Sequence, residues 1–159
     1  MRIDEYFRDP NPPPVQGLVV VTYAIVRDEQ TRVLLVRRID DGNWELPGGR
    51  VEVGETASAT AVRAVEEESG IAIELTGISG VYSDPDHIVV YEVEGARQQF
   101  AVCFHARPTT PHQQPRPDGV ETIAAQWSDP IDTGELPMHP DVRRRLTDAL
   151  KLPGTPQFD

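Results

Sequence analysis

The residues best suited to chemistry crowd into one stretch. Gly48, Gly49 and Glu55 are followed by Arg63 and the carboxylate run Glu66, Glu67 and Glu68, and Gly70 and Ile71 close it. On a helix, Ala64, Glu67, Glu68 and Ile71 fall at i, i+3, i+4 and i+7 and so share one stripe. Glu67 and Glu68 are then neighbours able to converge on one cation. Like charges resist such crowding unless a cation sits among them, so the stretch reads as a divalent metal site. An oxygen-only donor set suits Mg²⁺ or Mn²⁺, which keep waters and bridge to substrate phosphates. Glu66 points about 200° away from Ala64 by the helix period and belongs to another face. Taken alone, a run of three Glu reads as a solvated helix face.

The offsets of the flanking residues change that balance. The stretch resembles the Nudix box, G-x5-E-x7-R-E-U-x-E-E-x-G-U with U a bulky apolar residue, through Gly49, Glu55, Arg63, Val65, Glu67, Glu68, Gly70 and Ile71. One position departs: the family's Glu after the Arg is Ala64. The resemblance implies an α/β/α sandwich around a mixed β-sheet. It implies hydrolysis of a nucleoside diphosphate linked to another moiety, such as a nucleotide sugar or a modified nucleotide. It also implies Mg²⁺ or Mn²⁺ held by Glu67, Glu68 and the backbone near Gly48, and an ion pair of Glu55 with Arg63 that ties loop to helix.

A general base is required as well, and in some family members it is the Glu that Ala64 replaces. Others draw it from outside the box. Glu121, in a loop-to-strand run Asp118-Gly119-Val120-Glu121-Thr122, is the best such candidate, although an exposed strand-start Glu is an equal reading. Glu52 is a weaker one. The catalytic candidates are therefore Glu67, Glu68 and Glu121. Arg37 and Arg38, at a strand end approaching the glycine pair, together with Gly49, are the candidate substrate contacts. Ala64 keeps a second class of function open: a catalytically impaired nucleotide-binding or regulatory module.

Composition limits the partners. Over 159 residues, Lys+Arg 15 against Asp+Glu 26 gives a net charge of −11, which argues against a protein gripping long nucleic acid. A nucleotide's few phosphates need only a metal and one or two Arg. No apolar run reaches the roughly 18 residues of a membrane span. With Cys103 as the only cysteine and no apolar signal core after Met1, the expected location is the cytoplasm. His87, His105, His112 and His139 share no zinc-like spacing. Cys103 alternates with apolar residues and reads as a small buried hydrophobe. Tyr82, Trp44 and Phe100 could stack on a base, but strand aromatics more often belong to a core.

The elements that must position these groups read as α+β. Residues 1–16, with Pro10, Pro12, Pro13 and Pro14, form an extended arm, either mobile or packed through Tyr6 and Phe7 on a second subunit of a homodimer. Residues 17–152 form a single domain and 153–159 a tail. Apolar runs at 18–26 and 32–37 predict a hairpin across Asp28-Glu29-Gln30-Thr31. Alternation at 50–53 predicts a short strand with its valines inward. Thr56 is a plausible N-cap for a helix to about Ser69, with Gly70 ending it as C′. Strands follow at 71–75, 78–82, 87–93, 98–107 and 121–127, with a bulge at Gly77 and a proline loop at 108–117. The spacing of Val142, Leu146, Ala149 and Leu150 predicts an amphipathic helix over 141–151, with Arg143, Arg144 and Arg145 mostly outside.

Overall fold

The computed structural model describes residues 1–159. In chain order the elements are β1 (Arg2–Phe7), β2 (Leu18–Val26), β3 (Val33–Arg38), β4 (Trp44–Glu45), β5 (Gly48–Arg50), α1 (Ala57–Ser69), β6 (Ile73–Tyr82), β7 (His87–Tyr91), β8 (Gly95–Pro108), β9 (Thr122–Ser128), α2 (Pro140–Lys151) and β10 (Gln157–Phe158). A 3₁₀ turn at Pro130–Glu135 links β9 to α2. The larger sheet runs β1-β7-β8-β2-β5, with β6 on the edge of β8 and β10 on β6; the smaller runs β4-β3-β9. Parallel pairing of β2 with β8 and of β10 with β6 makes the larger sheet mixed.

Strand β2 is the spine. Its Val21, Tyr23 and Ile25 face a core shared with Val33 and Leu35 of β3, Cys103 of β8, and Val142, Leu146 and Ala149 of α2. Its Ala24 and Val26 face a second cluster, with Leu34, Val65 and Ile71, beneath α1. Sheet, sheet and two helices thus sandwich two apolar layers, the α+β arrangement expected. On α1, Thr56 accepts from the Ala59 N–H at 3.1 Å, and Gly70 at φ 73° sends its N–H to Glu66 O, which ends the helix.

The structure corrects the sequence reading at five places. Strands β2 and β3 meet only at the Arg27–Val33 bridge and lie in different sheets. Val33 to Val36 is apolar on both faces and needs cover on both, which β3 finds between the two clusters; the Asp28 carboxylate redirects the chain by accepting from the Gln30 and Arg32 N–H groups. Strand β5 stops at Arg50, and the Glu55 N–H to Glu52 O turn throws Val53 fully into solvent. The N-terminal segment is extended, but Arg2–Phe7 pairs antiparallel with β7 of its own chain. In the expected tail, Gln157–Phe158 adds a parallel edge to β6. Lastly, Arg145 is buried, because Asp141 one turn earlier and Gln99 of β8 supply partners for its guanidinium.

Candidate active site

A cavity of about 400 Å³ opens between β5, α1 and the strands of the larger sheet. It falls in the size range of ligand pockets. Gly48, Gly49, Ala64, Glu67, Glu68 and Glu121 line one part of it. Val21, Tyr23, Val89, Tyr91 and Gln99 line another, and Arg2, Arg38, Arg50 and Arg63 bring positive charge to the walls.

Glycine at 48 is a matter of space, not of backbone dihedral. A Cβ there would sit 2.0 Å from the Thr22 carbonyl oxygen, so only glycine lets β5 lie against β2. At Gly49 a Cβ would approach the Ala64 methyl at 3.1 Å. Loop and helix are therefore in direct contact at the position where the sequence departs from the box. Ala64 is buried there, 2% exposed.

Glu68 is drawn inward from α1 and buried, and the Gly48 N–H donates to its Oε2 at 3.2 Å. Burial, and then the nearby Glu121 and Glu45 charges, push its pKa well above the ordinary carboxylate range, against the pull of the Gly48 N–H and Arg38. Glu67 is the outer member of the pair. Its carboxylate meets Arg63 Nη1 at 3.0 Å while lining the cavity. Arg63 also grips Glu55 with two bonds, Nε to Oε2 at 2.8 Å and Nη2 to Oε1 at 2.9 Å, a forked pair that fastens the 52–55 turn to the helix. This hydrogen bonding holds the Glu55 carboxyl down to about 2.

Glu121 comes to the cavity from the start of β9. Its backbone is fixed by an Asx turn in which Asp118 Oδ1 accepts from the N–H groups of Val120, Glu121 and Thr122 at 2.8, 2.9 and 3.0 Å. The Thr122 hydroxyl then donates to Glu68 O at 3.1 Å, which ties the loop to α1. The donor chemistry fits a hard divalent cation: carboxylates from α1 and the 118–122 turn face one cavity, and the most buried of them has one N–H as its hydrogen-bond partner. Glu67 and Glu68 would hold it, beside the Gly48 backbone.

The remaining sequence candidates divide. Arg38 lines the cavity with Asp40 against its Nη2 at 2.8 Å. Arg37 turns away and donates to Gly42 O at 2.9 Å. Neighbours on a strand point to opposite faces, so only one of the pair can face the cavity. Glu52 lines the rim. Trp44 and Tyr82 lie in the core, where the Tyr82 hydroxyl donates to Asp148 at 2.8 Å. The cavity aromatics are instead Tyr23 and Tyr91, the latter under the Arg50 guanidinium at 4.7 Å.

Arg2, Tyr91 and Gln99 were not among the sequence candidates. Arg2 was hidden by the proline-rich segment, since nothing in residues 1–16 marks Arg2–Phe7 as a paired strand. Gln99 did leave a signal: on β8 it shares a face with Ala101 and Cys103, both buried, and a polar residue on an apolar face is informative.

Comparison with known proteins agrees with this arrangement. The NUDIX domain profile matches residues 17–150. A MutT-like protein from Streptomyces ambofaciens is 33% identical over 138 residues, covering 87% of this chain and 79% of that protein. A putative 8-oxo-dGTP diphosphatase from Bacillus subtilis (strain 168) is 34% identical over 133 residues, covering 79% and 76%. The crystal structure of a NUDIX hydrolase from Nitrosomonas europaea superposes with a TM-score of 0.70 at 22% identity, over 92% of this chain and 78% of that one, which speaks for the fold alone. Profile, relatives and fold converge with the box residues around the cavity, and the chain belongs to the Nudix hydrolase family.

Proposed function

We propose that this protein is a Mg²⁺- or Mn²⁺-dependent pyrophosphohydrolase that cleaves a nucleoside diphosphate linked to a further group, a nucleotide sugar or a modified nucleoside triphosphate. The observation that carries the reading is Glu68, buried and raised in pKa by burial and by the charges of Glu121 and Glu45, at the wall of a cavity large enough for a nucleotide. A divalent ion bound there would neutralise pyrophosphate charge and ease deprotonation of the water that attacks phosphorus.

The chain's own residues do the rest. Glu67 and Glu68 fix the anionic wall, and the Glu55–Arg63 pair sets the distance between loop and helix. Arg38, which also lines the cavity, meets phosphate charge. Glu121 is the carboxylate placed to take the proton of the attacking water, since it lines the same cavity and its backbone is held by Asp118. The relative named a diphosphatase for 8-oxo-dGTP supports the modified-triphosphate arm of the reading. Release of phosphate or pyrophosphate from a substrate panel with Mg²⁺ or Mn²⁺ is the test. Absence of turnover on every member by folded protein would refute it.

A second reading, a nucleotide-binding module with impaired catalysis, rests on Ala64. The methyl at 64 packs on Gly49 where the family carries a carboxylate. Ala64→Glu separates the two: a large rate gain marks an incomplete natural site, and an unchanged rate assigns the base to a residue outside the helix, with Glu121 first.

A further inference from the structure

Behind the cavity a guanidinium is held rigidly. Arg145 lies 5.3 Å over the Tyr23 ring and 5.2 Å over that of Tyr82, with Asp141 Oδ2 3.5 Å from its Nη1. Its Nη2 donates to Gln99 Oε1 at 2.8 Å and lies 3.3 Å from His87 Nδ1.

This contact decides which way the Gln99 amide faces. Arginine offers donors only, so the amide oxygen must be the end that meets it. The amide NH₂ is therefore on the other end, and it makes no hydrogen bond within the chain. Gln99 is 2% exposed and lines the cavity. A buried side chain thus presents two unspent donors, with its acceptor already occupied. Tyr23 and Tyr91, which also line the cavity, carry hydroxyls that can donate or accept, and they discriminate little.

Building on the nucleotide reading above, we propose that Gln99, locked by Arg145, is a specificity-determining residue that selects ligands presenting a carbonyl-type acceptor, a 6-oxopurine over a 6-aminopurine. Arg145 is a positioning residue in this scheme: it touches no ligand and sets which face of the amide the ligand meets. A 6-amino group brought against the Gln99 NH₂ would leave two donors opposed with no acceptor between them. The single mismatched contact costs about 10- to 100-fold in affinity.

Inosine and adenosine diphosphates, which differ at position 6 and at the protonation of N1, are the probes. Calorimetry on the full chain should give at least about tenfold tighter binding of the inosine nucleotide. Gln99→Glu keeps the bond to Arg145 and replaces donors by an acceptor, so the preference should invert. Gln99→Met removes both and should bring the ratio near one, which keeps the test decisive if the Glu variant fails to fold. Equal affinities in the natural protein, or an unaltered ratio in the folded variants, would overturn the assignment of Gln99 alone. Failure of both nucleotides to bind would overturn the nucleotide reading and this assignment with it.

Discussion

Two groups of carboxylates lie in this molecule, and the one that looks more like a metal site on distances is the one that is not built as one. Glu5, His87 and Asp141 bring ligand atoms within 4.8 Å of one another. Yet His87 Nδ1 faces the Arg145 donor and its Nε2 bonds Glu5 at 2.7 Å, so the ring proton belongs on Nε2 and neither nitrogen keeps a lone pair for an ion. Arg2 takes the other Glu5 oxygen at 2.8 Å. Asp141 is held below the usual carboxylate range, despite burial, by His139 and Arg145. Glu68 is pushed the opposite way, by burial and by Glu121. Both groups are buried acids near histidines or arginines. What separates them is whether cationic side chains already lie against the oxygens, and only the Glu68 group leaves charge for a cation to balance.

The largest effect expected from that contrast is at Glu68. Glu68→Gln keeps an acceptor for the Gly48 N–H and removes the charge, so turnover should drop by about 10³-fold, roughly 4 kcal/mol of barrier. Stability should hold or rise, because the carboxylate's burial works against its ionisation. Mg²⁺ should raise the melting temperature of the natural protein and leave that of the variant unmoved. Glu5→Gln, in the other group, should retain the Mg²⁺ response. A response lost there and kept at Glu68 would reverse the comparison.

How much of this was legible follows the same division. The Glu67–Glu68 face, the Glu55–Arg63 pair and the Thr56 and Gly70 ends of α1 are local, set by spacings within one turn and one helix, and the sequence carries them in full. The Arg145 network is not local. It joins β1, β7, β8 and α2, and no spacing links Glu5, His87, Gln99 and Arg145 before the sheet order is known. Helical periodicity places Arg145 among three consecutive arginines, which charge alone reads as mostly outside. The pairing of Arg2–Phe7 with β7 escaped for the same reason, since its partner lies some eighty residues away.

A smaller effect tests the Asp141 group from within. Arg145→Met leaves Asp141 buried without its guanidinium and should cost about 3 kcal/mol in urea unfolding, the scale for breaking a buried pair. Adding Asp141→Leu removes the stranded charge, so the double variant should be more stable than the single one. A double variant as unstable as the sum of both changes would mean that Arg145 contributes by packing on Tyr23 and Tyr82 and not by balancing charge.

The smallest effect lies at the rim, where His139 Nδ1 is 3.2 Å from Asp141 Oδ1. Asp141 first, against partial burial, raises the His139 pKa to about 9 from its ordinary 6.5. A base whose folded pKa is raised stabilises fully below its unfolded value and loses that contribution as pH climbs through the folded one. The stability difference between the natural protein and His139→Gln should therefore be complete below pH 6.5 and vanish above about 9. Solvent reaches the ring, so the amplitude should stay under about 1 kcal/mol. Urea midpoints at pH 6 and pH 9.5 read it, bracketing the two pKa values. A difference that grew with pH instead would mean that Asp141 draws its charge balance from Arg145 alone, and that the imidazole burdens the cluster.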